Sequence, residues 1–312
     1  MMRKALPRSA TTERQNPYSR NIDQKPTREI LRVINHEDAQ IARAVKREIP
    51  KIARAVDEIA ARIRKGGRLF YIGAGTSGRL GVLDASECPP TFGVPRTLVQ
   101  GIIAGGRRAL TESAEGEEDN EKQGARDLRA RGITARDAVV GLAASGSTPY
   151  VVGALKYARE RGAYTIGVTM NPDSVISRVA HVTIAPITGP EVIAGSTRMK
   201  AGTAQKMVLN MLSTTVMIRL GHVYDNWMIK VAKTNRKLRQ RALRNLTDAT
   251  GKPVLTAEHA LRQAGDNLQV ALIMLKTGLD ARQARLRLAA THGNLRKAVA
   301  SSGKSARGNK RK

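Results

Sequence analysis

Apolar residues fall along this chain in two periods. Five short, nearly unbroken runs read as buried strands: Leu69–Ile72, Leu98–Ala104, Ala138–Ala143, Tyr164–Thr169 and His181–Ala185. Between them the apolar positions recur at helical spacing. Ile52, Val56, Ile59 and Ile63 mark a helix over Lys51–Lys65, and Leu80, Val82 and Leu83 mark one that stops before Pro89-Pro90. Further helices end at Arg131 and span Tyr150–Arg161. Strand and helix alternating through short connections predict an α/β fold with a doubly wound parallel five-stranded sheet. Ahead of it, Met1–Lys25 is polar and irregular, and two amphipathic helices follow over Thr27–Asn35 and His36–Pro50. Behind it, Ala201–Arg219 is apolar on most sides, which predicts deep burial or a subunit interface. Tyr224–Leu246 reads as a basic helix. Thr256–Val299 reads as two related helical units, because Leu261–Ala271 resembles Leu288–Ala298. The predicted division is an N-terminal arm with helices (1–60), the sheet domain (61–224), a small all-helical C-terminal module (225–303) and a basic disordered tail (304–312).

Composition changes this picture little. The 312 residues suffice for one large domain and a smaller one, and 41% apolar content supports a core of Ala, Val, Ile and Leu, with aromatics only 3%. The net charge of +28 invites a nucleic-acid reading. No zinc-finger spacing or aromatic stacking platform accompanies it, so the expectation is that any such binding runs only through the tail. The single Cys88 excludes an internal disulfide. No apolar run approaches the roughly 18 residues of a membrane span. A cytoplasmic protein is expected.

Candidate chemistry begins where the first strand ends. Gly73-Ala-Gly-Thr-Ser-Gly78 is a glycine-rich turn with two hydroxyls, Thr76 and Ser77, leading into a helix. Such a turn aims backbone N–H groups at one spot and suits an anion. The same residues match Gly-x-Gly-x-x-Gly, but a dinucleotide site needs an acid about 20 residues on, at the end of the next strand. That strand ends in Gly105-Gly106-Arg107 instead. A phosphomonoester is the better fit. After the third strand, Ala144-Ser-Gly-Ser-Thr-Pro149 forms a second hydroxyl-rich turn before a helix. Two such turns converge at the switch point of a doubly wound sheet. Thr76, Ser77, Ser145, Ser147 and Thr148 are the predicted phosphate contacts. The five histidines show no paired ligand spacing, so no metal site is expected.

Together these stretches resemble one family over nearly the whole chain: the N-acetylmuramic acid 6-phosphate etherases, built on the sugar isomerase (SIS) fold. The resemblance begins at Thr12-Glu-Arg-Gln-Asn-Pro17 and Ile34-Asn-His-Glu-Asp38 and is densest in Gly73–Gly93. It continues through Glu115-Gly-Glu-Glu-Asp119, Ala143-Ala-Ser-Gly146 and Asn171-Pro-Asp173, and closes with Gly195-Ser-Thr-Arg-Met-Lys-Ala-Gly-Thr-Ala-Gln-Lys206. It implies an SIS-type αβα sandwich, a homodimer, and a cytoplasmic lyase without metal or organic cofactor. That lyase splits the D-lactyl ether of N-acetylmuramic acid 6-phosphate into N-acetylglucosamine 6-phosphate and D-lactate during recycling of cell-wall amino sugar. By motif it implies two catalytic carboxylates, Glu87 and Glu118.

The chemistry fits such a pair. Once the sugar ring opens, the C1 aldehyde acidifies the proton on C2. A carboxylate removes it, the C3–O bond breaks, and a carboxylic acid protonates the departing lactate oxygen. Water then adds across the C2–C3 double bond. Which carboxylate is base and which is acid is left open. Glu115 and Glu117 compete with Glu118 as substitutes or helpers. Lys200 or Arg198 is expected to meet the lactate carboxylate or the phosphate, Glu191 a sugar hydroxyl, and Ser196 lies in the same motif. A helix from Gly78 to Glu87 would be about 14 Å long at 1.5 Å per residue, longer than the sugar. A composite site at a dimer interface is therefore expected.

Four residues depart from the family pattern: Ser147 stands where Arg is expected, Glu117 where Ala, Asp225 where Gly and Trp227 where Leu. Rival readings are a phosphosugar-sensing regulator, as in the glucokinase regulatory protein, and a phosphosugar isomerase.

Overall fold

A computed structural model of the chain describes residues 11–112, 116–230 and 236–300, the side chains of 236–239 excepted. The predicted basic tail lies outside the described residues. The chain divides into two compact units, one of Met1–Ser86 with Arg96–Thr214 and a second of Glu87–Pro95 with Thr215–Lys312.

The first unit holds the sheet. Its strands are β1 (Leu69–Gly73), β2 (Val99–Ile103), β3 (Ala138–Leu142), β4 (Tyr164–Val168) and β5 (Val182–Ile184), in the spatial order β2-β1-β3-β4-β5. All four pairings are parallel. The unbroken apolar runs are explained by cover on both faces. One face carries Phe70, Ile72 and Val139 against α6 (Pro149–Glu160), with Leu128 of α5 (Glu121–Ala130) and Ile176 of α7 (Val175–Val179) in the same cluster. On the other face, Gly81 of α4 (Gly75–Phe92) sits over Tyr71 and Leu142, while Arg62 of α3 (Ile49–Arg64) stacks on Tyr164. The expected αβα sandwich is present. Ahead of α3 lie three single 3-10 turns between Thr11 and Gln24, then α1 (Thr27–Asp38) and α2 (Ile41–Arg47).

The lower edge of the sheet is tied by one buried acid. Asp137 accepts from the Arg68 backbone and guanidinium and from the Thr134 N–H and hydroxyl. Burial alone would raise its pKa, but these donors outweigh it and hold the carboxyl below its usual value.

Two elements differ from expectation. α4 does not stop before Pro89-Pro90 but runs through both to Phe92. Proline's fixed φ is compatible with a helix, and here only two backbone hydrogen bonds near the helix end are lost. The region after Gly221 is not helical from Tyr224. Val223–Tyr224 (β6) and Trp227–Met228 (β7) form an antiparallel hairpin, and α9 begins at Arg236 and runs to Thr250. The turn signal is Asp225-Asn226, with Asp225 at φ 55°, flanked by Val, Tyr and Trp, which suit strands.

The rest of the second unit is helical: α10 (Val254–Gln263), α11 (Leu268–Thr277), α12 (Ala281–Ala290) and α13 (Leu295–Ala300). The internal resemblance has a structural counterpart. Gly265 and Asp266 between α10 and α11, and His292 and Gly293 between α12 and α13, all take positive φ. Asn267 and Asn294 each then accept a backbone N–H three residues on. The core of this unit gathers Leu246, Leu268, Leu272, Ile273 and Leu295.

Candidate active site

The two hydroxyl-rich turns leave neighbouring strands at the same edge. Gly73 pairs with Leu142 in the sheet register, so the turns begin one strand spacing apart, roughly 4.8 Å. α4 starts at Gly75, three residues earlier than the periodicity suggests, and its first backbone bond runs from Gly78 N–H to Ala74 C=O. The N–H groups of Gly75, Thr76 and Ser77 precede that bond and have no partner within the helix. The turn tolerates nothing but glycine at its base. A Cβ on Gly73 would lie 2.8 Å from Gly78 N, and one on Gly78 would lie 2.7 Å from Gly73 O.

In this first turn Thr76 is half-buried and Ser77 buried. The Ser77 hydroxyl donates to Gln205 Oε1 at 2.9 Å. Gln205 belongs to α8 (Lys200–Arg219), whose Gly202 lies against the Thr76 methyl. The second turn folds on itself, with the Ser147 N–H and hydroxyl both donating to Ser145 Oγ at 3.2 Å. Asn171 supports it from below through the carbonyls of Ala144 and Ser145. Thr148 precedes α6, and the half-buried hydroxyls of Ser145, Ser147 and Thr148 line the turn.

The acidic stretch after β2 is held by α4. Arg79 donates to the carbonyls of Ala109, Leu110 and Glu112 at 3.0, 3.2 and 2.8 Å. Glu117–Asp119 then forms one 3-10 turn that packs against α6. Both Glu117 and Glu118 are exposed there. Beneath them Tyr150 donates to Asp127 at 2.5 Å, and burial, Asp127 and Glu117 together push its hydroxyl well above the usual phenol range. Glu115 lies outside the described residues. Glu87 is exposed on α4 and belongs to the second unit.

The residues around the start of α8 have partners inside the protein. Lys200 is 1% exposed and its ammonium pairs with the Glu37 carboxylate from α1. Glu37 also accepts from Asn16 Nδ2 at 2.7 Å. Glu191, equally buried, accepts the N–H groups of Lys200 and Ala201, each at 2.9 Å, and so caps α8. Burial raises its pKa against those two bonds. Arg198 is exposed and Ser196 half-buried, its N–H bonded to the Ile193 carbonyl. The N-terminal segment straps this loop in place, with the Thr12 carbonyl accepting from Gly195 and Asn16 donating to the Pro190 carbonyl.

Sequence reasoning passed over Arg79, Gln205, Asn16 and Glu37. All four lie in the blocks that carry the resemblance, and only side-chain direction separates them from their neighbours. Among the described residues, no three His, Cys, Asp or Glu side chains gather as a metal centre would need.

Residues 51–159 match the model of the glucokinase regulatory protein N-terminal SIS domain, and residues 118–215 match the SIS domain model. An N-acetylmuramic acid 6-phosphate etherase of Cronobacter sakazakii is 53% identical over 291 residues, covering 93% of this chain and 98% of that protein. One from Yersinia pestis is 54% identical over 288 residues, covering 92% and 98%. Among solved structures, the Vibrio vulnificus NanR protein complexed with ManNAc-6P aligns over 63% of this chain and 65% of its own, at 15% identity and a TM-score of 0.44.

Proposed function

The chain belongs to the N-acetylmuramic acid 6-phosphate etherase family, and from that premise we propose how its residues divide the work. The reaction is cleavage of the D-lactyl ether of N-acetylmuramic acid 6-phosphate to N-acetylglucosamine 6-phosphate and D-lactate. The observation that carries the site assignment is the pairing of Gly73 with Leu142, which starts both hydroxyl turns at one edge of the sheet.

The phosphate sits between the two turns, held by the first N–H groups of α4 and by the hydroxyls of Thr76, Ser77, Ser145, Ser147 and Thr148. Glu118 is one proton-transfer carboxylate, exposed where substrate can reach it on the 3-10 turn that packs against α6. Glu87 is the other. Between them they take the C2 proton and protonate the departing lactate oxygen. Glu37, Lys200 and Glu191 shape the site by fixing α8. Exposed Arg198 is the cation left to meet a substrate carboxylate. The protein works as a homodimer in the cytoplasm, where a phosphorylated sugar is retained, and its sites combine residues of both subunits.

The test is D-lactate release from N-acetylmuramic acid 6-phosphate by wild type, by Glu87→Gln and by mixed dimers of Glu87→Gln with Ser77→Ala. Release by wild type, loss in Glu87→Gln and partial recovery on mixing are expected. A folded wild type that binds the phosphosugar without releasing lactate would favour a sensing role, in line with the glucokinase regulatory protein match.

A further inference from the structure

Ser77 is placed to hold a phosphate, yet its hydroxyl proton is already committed. It donates to Gln205 Oε1 at 2.9 Å, so toward an incoming anion Ser77 presents lone pairs. On the other side of the same amide, Gln205 Nε2 is buried and has no hydrogen-bond partner among the described residues. A buried amide donor without a partner is uncommon and needs a reason. Gln205 itself is 1% exposed, so Nε2 cannot reach a ligand directly.

The first oddity vanishes if the amide turns over, and the second passes from the amide N–H to the amide oxygen, for which lacking a partner is less uncommon. With the two ends of the Gln205 amide exchanged, Nε2 donates to Ser77 Oγ. The Ser77 O–H is then free to donate to a phosphate oxygen. The oxygen and nitrogen of a Gln amide are nearly the same size, so the exchange requires no repacking. In the unliganded turn, each orientation makes one hydrogen bond to Ser77 and leaves one buried amide atom without a partner. Only the anion breaks the tie, because only one orientation supplies it with a charge-assisted bond.

We propose that Gln205 is a positioning residue for the phosphomonoester site, acting through Ser77: its amide turns over when the ligand's phosphate binds and converts Ser77 from acceptor to donor. The inference rests on the phosphate reading of the Thr76–Ser77 turn and deepens it. It also gives α8 a part in recognition that its apolar surface does not suggest. The helix fixed by Lys200 and Glu191 carries the group that decides which way a hydroxyl points in the neighbouring turn.

The experiment measures binding of N-acetylglucosamine 6-phosphate by calorimetry, together with kcat and KM for lactate release. The variants are Ser77→Ala, Gln205→Glu, Gln205→Met and the double variant Ser77→Ala/Gln205→Glu. An ionised Glu at 205 only accepts, so it locks the Ser77 proton away from the ligand. Gln205→Glu should weaken binding and raise KM on the order of 10- to 100-fold, the worth of one hydrogen bond to a charged group, with kcat nearly held. The gap to wild type should narrow as pH falls, because a protonated Glu can donate; burial brings that protonation into an accessible range. Gln205→Met, which neither accepts nor donates, should cost less and show no such pH dependence. On the Ser77→Ala background, Gln205→Glu should cost little more. Additive losses in the double variant, or wild-type affinity in both Gln205 variants, would overturn the role of Gln205 while leaving the phosphate site standing. Unchanged affinity in Ser77→Ala would remove Ser77 from the phosphate contacts and the inference with it, and absence of any binding by folded wild type would remove the phosphate reading itself.

Discussion

The acids of the first unit are treated in two opposite ways. Around the start of α8, Glu37 and Glu191 are 3% and 1% exposed, and each is tied to a lysine ammonium, an amide or backbone N–H groups. Along the segment after β2, Glu117 and Glu118 stand exposed on a single 3-10 turn, with no helix or strand of their own. A buried carboxylate costs too much to leave unpaired, so it becomes scaffold. A carboxylate that must exchange protons with a substrate has to keep its oxygens available and be positioned through the backbone instead, as the packing of this turn against α6 does here. The difference separates acids that hold a shape from acids that can react.

The largest effect that would test this contrast is on rate. Glu118→Gln should cut lactate release by roughly 10²- to 10⁴-fold, the usual worth of a positioned acid or base. Its denaturation midpoint should stay at the wild-type value, and Glu117→Gln should keep most of the activity. A midpoint that fell with the rate would place Glu118 among the scaffold acids. Next comes the buried pair. Lys200→Met leaves the Glu37 carboxylate uncompensated and should cost about 3–5 kcal/mol in urea unfolding. Adding Glu37→Leu should recover much of that loss, since an apolar pair needs no compensation. No loss in the single variant would mean that the pair contributes little to stability.

The second unit extends the contrast to bases. His222 and Lys230 approach to 3.5 Å, and burial lowers the pKa of both. Burial first, then Lys230, takes His222 down to about 4, while a bond to the Phe92 backbone works the other way. In the unfolded chain this imidazole gains its proton near pH 6.5. Stability should therefore be full above about pH 6.5 and fall as pH drops toward about 4, because the unfolded state binds the proton first. Urea midpoints taken across that range, with His222→Gln as the flattened control, measure it. The smallest effect concerns an exposed acid under backbone constraint. Asp225 takes φ 55° at the first central position of the hairpin loop, where glycine is favoured. Asp225→Gly should raise the thermal midpoint slightly, by about 0.5–1 kcal/mol of stability, and leave the rate unchanged.

The sheet was legible because both its faces are covered, and unbroken runs such as Leu69–Ile72 have few other readings. The hydroxyl turns were legible because glycines and strand ends locate them. The Val223–Met228 hairpin was not, since two residues of strand on each side leave no countable period. Lys200 and Glu191 invited a ligand role because charged residues inside a glycine-rich motif look like ligand contacts. Their burial is decided by α1 and by the strap Thr12–Asn16, both more than 150 residues earlier in the chain. Gln205 was passed over for a similar reason. On a helix apolar nearly all round, one amide looks incidental until its bond to Ser77 is seen.

The way the chain divides also sets an order in time. The second unit takes its first piece, Glu87–Pro95, from the end of α4, and then waits until Thr215 for the remainder. On a ribosome adding about 5–20 residues per second, the intervening stretch of about 120 residues takes on the order of 6 to 24 seconds. Throughout that interval Phe92, buried in the finished protein, waits for the later part of its unit. Birth of this protein therefore includes a vulnerable window, during which a nascent-chain chaperone would find a short apolar segment to guard.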